Sequence, residues 1–427
     1  MKKTAVCAVI YIFSFSGLLY AFGESTDEQK KDRFIAAHGD LSVTGVEVRG
    51  LSRTRDSIVL REIPVTEGMP LSSFSPDDAV QELRKLNLFH AVSIDYEPNE
   101  RGVHVVAHLK EKWTLIPIPA IKFAGDYQSY GAFITESNFL GLKKTLYGGG
   151  AWSPTNGWRA QFGYIDPALS GSRFTMSMMA LVGDELFENH SGDGELIQRF
   201  NAFHLKGEIT AGYKIYKNHT LSLLTMYRQG DTVSVSSPLE EPPSVKVLYQ
   251  GTRYTFRNLN FQKVFTFGWR VVLDYSRGIA LNGNASGHNQ SRLVAAYSFP
   301  LFSSHRMTLL ARGGAGKLPA VFEERIAGTP GFKTLKANEV SADFFIAGVV
   351  TWEYPLWSHS LVTVAAAASW EQGAFKKDDM PAENAFGPGA GLRLYLKKVT
   401  IPAVGLDVVY SIPQKETRFS FSMGVAM

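Results

Sequence analysis

Cysteine is almost missing: Cys7 is the only one in 427 residues, and it lies inside the apolar N-terminal stretch. Without that stretch the chain carries no thiol, which excludes thiol catalysis, disulfides and cysteine metal sites and suits an oxidising compartment. Long hydrophobic runs are equally scarce. Beyond residue 23 no run approaches about 18 apolar residues, so helical membrane spans are excluded. Charge of one sign is not in excess either. The formal net charge is +4, and it drops by two when Lys2 and Lys3 are lost, so no nucleic acid or other polyanion is implied as a partner. Catalytic signatures are absent too: there is no G-x-S-x-G, no H-E-x-x-H, no phosphate-binding glycine loop and no cluster of His ligands. Neither an enzyme nor a bound cofactor or metal is expected. Gly148-Gly149-Gly150 reads as a strand and turn where backbones approach closely, and the acid pairs Glu240-Glu241 and Asp378-Asp379 as solvated loop charge.

The N-terminus itself is patterned. Met1-Lys2-Lys3 is a short positive region, Ala5 to Tyr20 is apolar, and Ala21-Phe22-Gly23 places small residues where a signal peptidase reads. Residues 1–23 are therefore expected to be a signal peptide, with Glu24 as the mature start. A polar linker follows at 24–40.

From about residue 112 to 427 one rhythm persists. Val271, Leu273 and Tyr275 share one face of a strand, and Arg270, Val272, Asp274 and Ser276 the other. Met307, Leu309 and Ala311 alternate with Thr308, Leu310 and Arg312, and Phe419, Phe421 and Met423 with Ser420, Ser422 and Gly424. Charges such as Arg270, Asp274 and Arg312 are costly against lipid but suit a wet lumen. Aromatics stand beside the tight turns, as in Phe299-Pro300-Leu301-Phe302 and Tyr354-Pro355-Leu356-Trp357, where an interfacial girdle falls. Short turns (Lys217-Asn218-His219, Ser303-Ser304-His305) alternate with long polar connections at 186–197, 228–246, 279–290 and 372–388. The fold class is mainly β: an antiparallel transmembrane β-barrel, with room for about 16 strands at ~10 residues each.

Residues 41–111 pattern differently, as strand, helix, helix, strand, strand. Val43, Val46 and Val48 form a first strand ending at Gly50. Thr54 is placed to cap a short helix carrying Ile58, Val59 and Ile63. Ser75-Pro76-Asp77-Asp78 combines a capping hydroxyl, a first-turn proline and acids at the positive helix end. Ala79, Leu83 and Leu86 make its apolar face, Asn87 takes a left-handed stop, and a hairpin crosses Pro98-Asn99-Glu100-Arg101-Gly102.

VTGVEVRGLSRTRDSIVLREI with LRKLNLFHAVSIDYEP resembles a POTRA domain of the BamA/TamA family, which usually has glycine where Asn87 stands, just before an aromatic matching Phe89. The resemblance continues through TESNFLGLKKTLYGGG (Asn138, Leu140, Gly141), FGYIDPALSGSRFTM (Asp166-Pro167), TWEYPL, GPGAGLRLYLKKVTIPAVGLDVVY and RFSFSMGVAM, in order over about residues 41–427. It implies a POTRA domain followed by a bacterial surface antigen type barrel in the outer membrane, the POTRA domain lying in the periplasm. It further implies a final sorting strand carrying Phe419, Phe421 and Gly424, although Met427 stands where such barrels usually end in an aromatic. The family's lumen loop has an Arg-Gly-aromatic core docked on an inward acid. The matching stretch here holds Gly328, Gly331 and Phe332, then Lys333 for the arginine, Thr334 for the glycine and Leu335 for the aromatic. Lysine keeps the charge but loses the bidentate fork. Asp407, on the strand face of Gly405 and Val409, is its expected partner in a loop latch. Functionally the resemblance implies a barrel that opens or thins at its first-to-last seam and helps other outer-membrane proteins fold and insert. Its partners would be membrane lipids and, through the POTRA domain, unfolded clients or a periplasmic chaperone or lipoprotein. A single POTRA domain points to a divergent accessory member. A polypeptide- or solute-translocating pore and a structural surface antigen remain as alternatives.

Overall fold

The computed structural model describes residues 34–35, 38–190, 196–235, 243–261, 264–282, 288–302, 304–323, 325–337, 340–377, 381–396 and 401–424. The expected signal peptide, most of the linker and Met427 lie outside them.

A small domain comes first. Strand β1 (Val43–Arg49) leads to helix α1 (Asp56–Leu60), helix α2 (Pro76–Lys85) and the hairpin of β2 (Phe89–Asn99) and β3 (Gly102–Glu111). The sheet order is β1-β3-β2, with β1 parallel to β3. Helix α2 starts where Ser75 Oγ accepts from Asp78 N (3.3 Å), with Asp77 and Asp78 in its first turn. Its apolar face, Ala79, Leu83 and Leu86, packs with Ile58, Val59, Leu71, Leu88 and Ile94 into one core, and Asn87 follows it with a left-handed backbone. Thr54 does not cap α1. Arg55 occupies the cap position without a side-chain bond, and Thr54 Oγ1 instead accepts from Asn138 Nδ2 (2.9 Å) on the barrel. That hydroxyl is buried at a contact between domains, where a distant donor outcompetes the helix end.

The barrel is closed and has sixteen strands in meander order. They are β4 (Leu115–Ala124), β5 (Tyr127–Phe139), β6 (Lys144–Ser153), β7 (Gly157–Asp166), β8 (Phe174–His190), β9 (Leu196–Tyr216), β10 (His219–Val235) and β11 (Val245–Phe261), then β12 (Thr266–Ala280), β13 (His288–Leu301), β14 (His305–Ala315), β15 (Phe344–Ser358), β16 (Val362–Lys376), β17 (Glu383–Leu396), β18 (Ile401–Ser411) and β19 (Glu416–Met423). Alternation sorts the faces. Trp269, Leu273 and Tyr275 stand exposed on the outside. From the inside Arg253 binds Asp274 (Nε to Oδ1, 2.7 Å) and Glu208 (Nη1 to Oε1, 3.0 Å) across strands β9, β11 and β12. Turning such an arginine to lipid would cost about 2–4 kcal/mol at the midplane, so the register is strongly specified.

The long connections are shorter than the sequence suggests. Strands β8, β10, β12 and β16 run on to His190, Val235, Ala280 and Lys376, and their partners resume at Leu196, Val245, His288 and Glu383. Above the hydrocarbon both faces of a strand meet water. The apolar alternation therefore fades from the sequence while the ladder bonds continue.

The small domain docks against the short turns at one end of the barrel. Arg55 N and Nε donate to the carbonyls of Gly141 (3.0 Å) and Leu140 (3.2 Å) in the β5–β6 turn, and Arg53 pairs with Glu136 (2.9 Å). On the opposite side Glu82 of α2 meets Lys217 of the β9–β10 turn at 2.6 Å. The Ser52–Thr54 segment that makes the first contact is held from behind by Glu111. Its carboxylate accepts from Ser52 Oγ (2.5 Å) and from the backbone N–H groups of Ser52, Arg53 and Thr54. Burial raises the Glu111 pKa, but the hydrogen bonds from Ser52 and Thr54 outweigh it and hold the carboxyl at about 2. A folded-state pKa below the unfolded one contributes stability that is present above the unfolded value, near 4.5, and lost as pH falls toward 2. Docking should therefore loosen between pH 4.5 and 2, read as rising protease cleavage within 41–111. Glu111→Gln should give looser docking already at neutral pH, with the pH dependence in that window flattened.

Candidate functional site: the lumen loop and the seam

Between β14 and β15 the described residues 316–323, 325–337 and 340–343 fold into the lumen rather than out of it. Its first arm lays Val321 and Phe322 against Phe187, Phe200, Met226 and Tyr249 on the β8–β11 wall. Arg228 stacks over Phe322 at 4.2 Å, and Arg325 over Phe187 at 4.4 Å. The chain then turns back: Gly328 N donates to Phe332 O (3.0 Å) and Phe332 N to Thr329 O (2.9 Å). Gly331 has φ +90° and faces Ala347, so a side chain there would be both strained and obstructed. Phe332 is fully buried, edge-on to Phe345 and Phe375 and over Gly373.

Acids on the wall hold the turn. Glu371 on β16 is buried and accepts from the backbone N–H groups of Gly331 (3.0 Å) and Lys333 (3.1 Å) through one oxygen. Lys333 Nζ lies 3.1 Å from Asp407 Oδ2 on β18, and Arg393 Nη2 of β17 lies 2.5 Å from the other oxygen. Strand parity explains the geometry: Leu406, Val408 and Tyr410 are exposed outside, so Asp407 and Val409 face in. Of the residues singled out in the loop, the structure brings Gly331, Phe332, Lys333 and Asp407 together, with Gly328 closing the same turn.

Sequence reasoning passed over Glu371 and Arg393. The available signal for Glu371 was parity: it follows Ala365, Ala367 and Ser369 on the inward face of an alanine-rich strand. It also missed a second brace near the end of the barrel that bears the small domain, where Arg306 binds Glu353 and Tyr395 Oη (2.7 Å) and stacks on Phe265 at 4.6 Å. Among the described residues no three His, Asp or Glu side chains are grouped to hold a metal ion.

The ring closes between β19 and β4, and there the ladder is short among the described residues. Ser420, Phe421, Ser422 and Met423 pair with Ala124, Phe123, Lys122 and Ile121, whereas β8 and β9 pair from Phe174–Tyr213 up to His190–Leu196. Phe421 meets the Phe123 ring across the seam (5.7 Å between centroids), and Phe419 stands exposed above the overlap. Gly424 lies just past the ladder. The lumen loop touches both sides of this seam: Arg418 Nε of β19 donates to Thr334 O (2.9 Å), and Lys336 reaches Asp126 in the β4–β5 turn (3.2 Å). A cleft of about 830 Å³ opens beside it, lined by Phe123, Leu335, Leu406, Asp407, Phe419 and Phe421, so lumen-facing and outward-facing side chains share one space.

No protein-family model matches the sequence. Among solved structures the chain is similar to BamA from Haemophilus ducreyi lacking POTRA domains 1-3, at 15% identity over 90% of this chain and 85% of that one, TM-score 0.56. It is also similar to CdiB from Escherichia coli, at 13% identity over 91% and 77%, TM-score 0.62. CdiB from Acinetobacter baumannii matches at 13% over 91% and 74%, TM-score 0.58. At such identities the likeness is one of fold, that of the BamA and CdiB barrels.

Removing one member of a desolvated ion pair costs about 3–5 kcal/mol, against at most about 1 for a surface pair. Lys333→Ala leaves Asp407 with Arg393, so it should cost about 1 kcal/mol, while Asp407→Ala strands two cations and should cost about 3. The double variant should cost less than the sum. The midpoint of the heat-induced gel-mobility change of the barrel measures all three. Silent or additive effects would make Lys333 an ordinary solvated lysine.

Proposed function

We propose that this is a bacterial outer-membrane protein that assists other outer-membrane proteins to fold and insert, using its small domain and its seam. The observation that carries the reading is the shortness of the β19–β4 ladder: among the described residues, four paired on each side close a ring whose other ladders are longer. Such a ring opens most cheaply there, which exposes strand edges within the membrane to an unfolded client.

The small domain supports the same reading as a POTRA domain in the periplasm. Its sheet has β2 at an outer edge, a place where an extended client or a periplasmic chaperone or lipoprotein can add a strand. The likeness to the BamA structure covers 90% of the chain, more than the barrel from Leu115 to Met423 alone would fill. Docking onto the β5–β6 turn puts this domain directly below the strand next to the seam.

Translocation of a polypeptide or solute is the second reading, and the higher TM-score to CdiB from Escherichia coli favours keeping it. The lumen loop argues against it, because two arms packed on opposite walls obstruct a through-path.

Liposomes containing the protein should speed the folding of a urea-denatured client barrel several-fold, and deletion of residues 41–110 should reduce that gain. Steady salt conductance with no effect on client folding would overturn the assembly reading in favour of the pore.

A further inference from the structure

The two edges of β4 are chemically unlike. Toward β5 the ladder is complete, from Leu115–Glu136 to Ala124–Tyr127. Toward β19, among the described residues, only Ile121 to Ala124 is paired. Two contacts fix which residues face which way. Thr114 O accepts from Ser137 N (3.0 Å), so the even-numbered positions turn to β5. Pro119 O points the other way, at Gly424, where a Cβ would run into it. Because N–H and C=O of one residue share a side and successive residues alternate, Leu115, Pro117, Pro119, Ile121 and Phe123 turn their backbone groups to the seam.

Two of those positions are prolines, which have no N–H. They cost the β5 ladder nothing, since their missing donors would have pointed away from it. What they remove is two of the three seam-side donors below Ile121, leaving that of Leu115. Among the described residues the chain's own last strand pairs with β4 down to the same height. Gly424, at φ +91°, gives its N–H to Ala403 O on β18 (2.8 Å), the side its parity faces, and Met423–Ile121 is the lowest pair among the described residues.

We propose that Pro117 and Pro119 form a stop built into the β4 edge, so that any strand pairing there is held to Ile121–Ala124 and cannot zip toward the periplasmic end. A strand laid along 117–119 can donate to two carbonyls, but its own facing carbonyls find no N–H. In hydrocarbon no water takes that place, so pairing beyond Ile121 is disfavoured. The stop keeps the seam short, and it gives the edge a fixed register by denying every alignment that needs donors at 117 or 119. It deepens the assembly reading, since the extended segment so limited would be a client strand, but its geometry stands on the backbone of this chain alone.

The test uses the full chain in detergent with a photo-crosslinking residue at Ile118, and a synthetic peptide with the sequence of residues 416–423 as probe strand. In the double variant Pro117→Val, Pro119→Val the peptide should cross-link at Ile118 about fivefold more than in the parent chain, the gain expected when one or two net hydrogen bonds are restored. Equal yields in the two chains, whether high or low, would overturn the stop. If the double variant does not give a heat-modifiable barrel, Pro119→Val alone replaces it, with the same comparison. Client folding in liposomes is read separately. Its failure with the parent chain would sink the assembly reading and leave the cross-linking result intact.

Discussion

Inside a bilayer a backbone N–H or C=O without a partner has no water to turn to, and each such group costs several kcal/mol. This constraint makes the chain a ring: every strand but two finds both neighbours in meander order, and the first and last must find each other. Here they do so sparingly. The rest of the molecule is arranged around that economy. The lumen loop grips β19 through Arg418 and the β4–β5 turn through Lys336, and the small domain is seated on the neighbouring β5–β6 turn.

The same constraint explains where the charges went. Turned inward by strand parity, acids became anchor points rather than liabilities. Glu371 binds loop backbone, Asp407 takes two cations, and Glu353 holds Arg306 under the Phe265 turn. All three lie on the arc from β14 to β18, so one side of the wall is cross-braced from within at two heights. An ion pair in such a place adds less to net stability than its Coulomb energy suggests, because desolvation offsets it; what it supplies is a defined seat for the loop.

Much of this was legible from residue order. The period of two gave strands with inward charge, as at Arg270 and Asp274, and the aromatic residues beside Pro300 and Pro355 marked the turns. Asp407 and Lys333 emerged from parity combined with a family resemblance, and neither source alone would have joined residues so far apart in the chain. Three things were not legible. Strand ends lose their alternation, so 186–190, 196–197, 228–235 and 245–246 read as loops where strands persist. Thr54 had a local use as a cap and a distant one at Asn138, and only packing decides between them. The seam's length depends on stagger between two strands more than 290 positions apart, Ile121 and Met423, which no local window contains.

Strand length around the ring is uneven: β9 spans 21 residues and β19 only eight. Regarded as an elastic hoop, the wall is tall and stiff through β8–β11 and low and compliant at β19–β4. In a hoop with one thin sector, bending imposed anywhere is taken up mostly at that sector, as a notched band creases at its notch. Lateral pressure from the bilayer, or a push from the small domain on the β5–β6 turn, thus needs no dedicated pathway through the wall to reach the seam. Shape alone delivers the strain there.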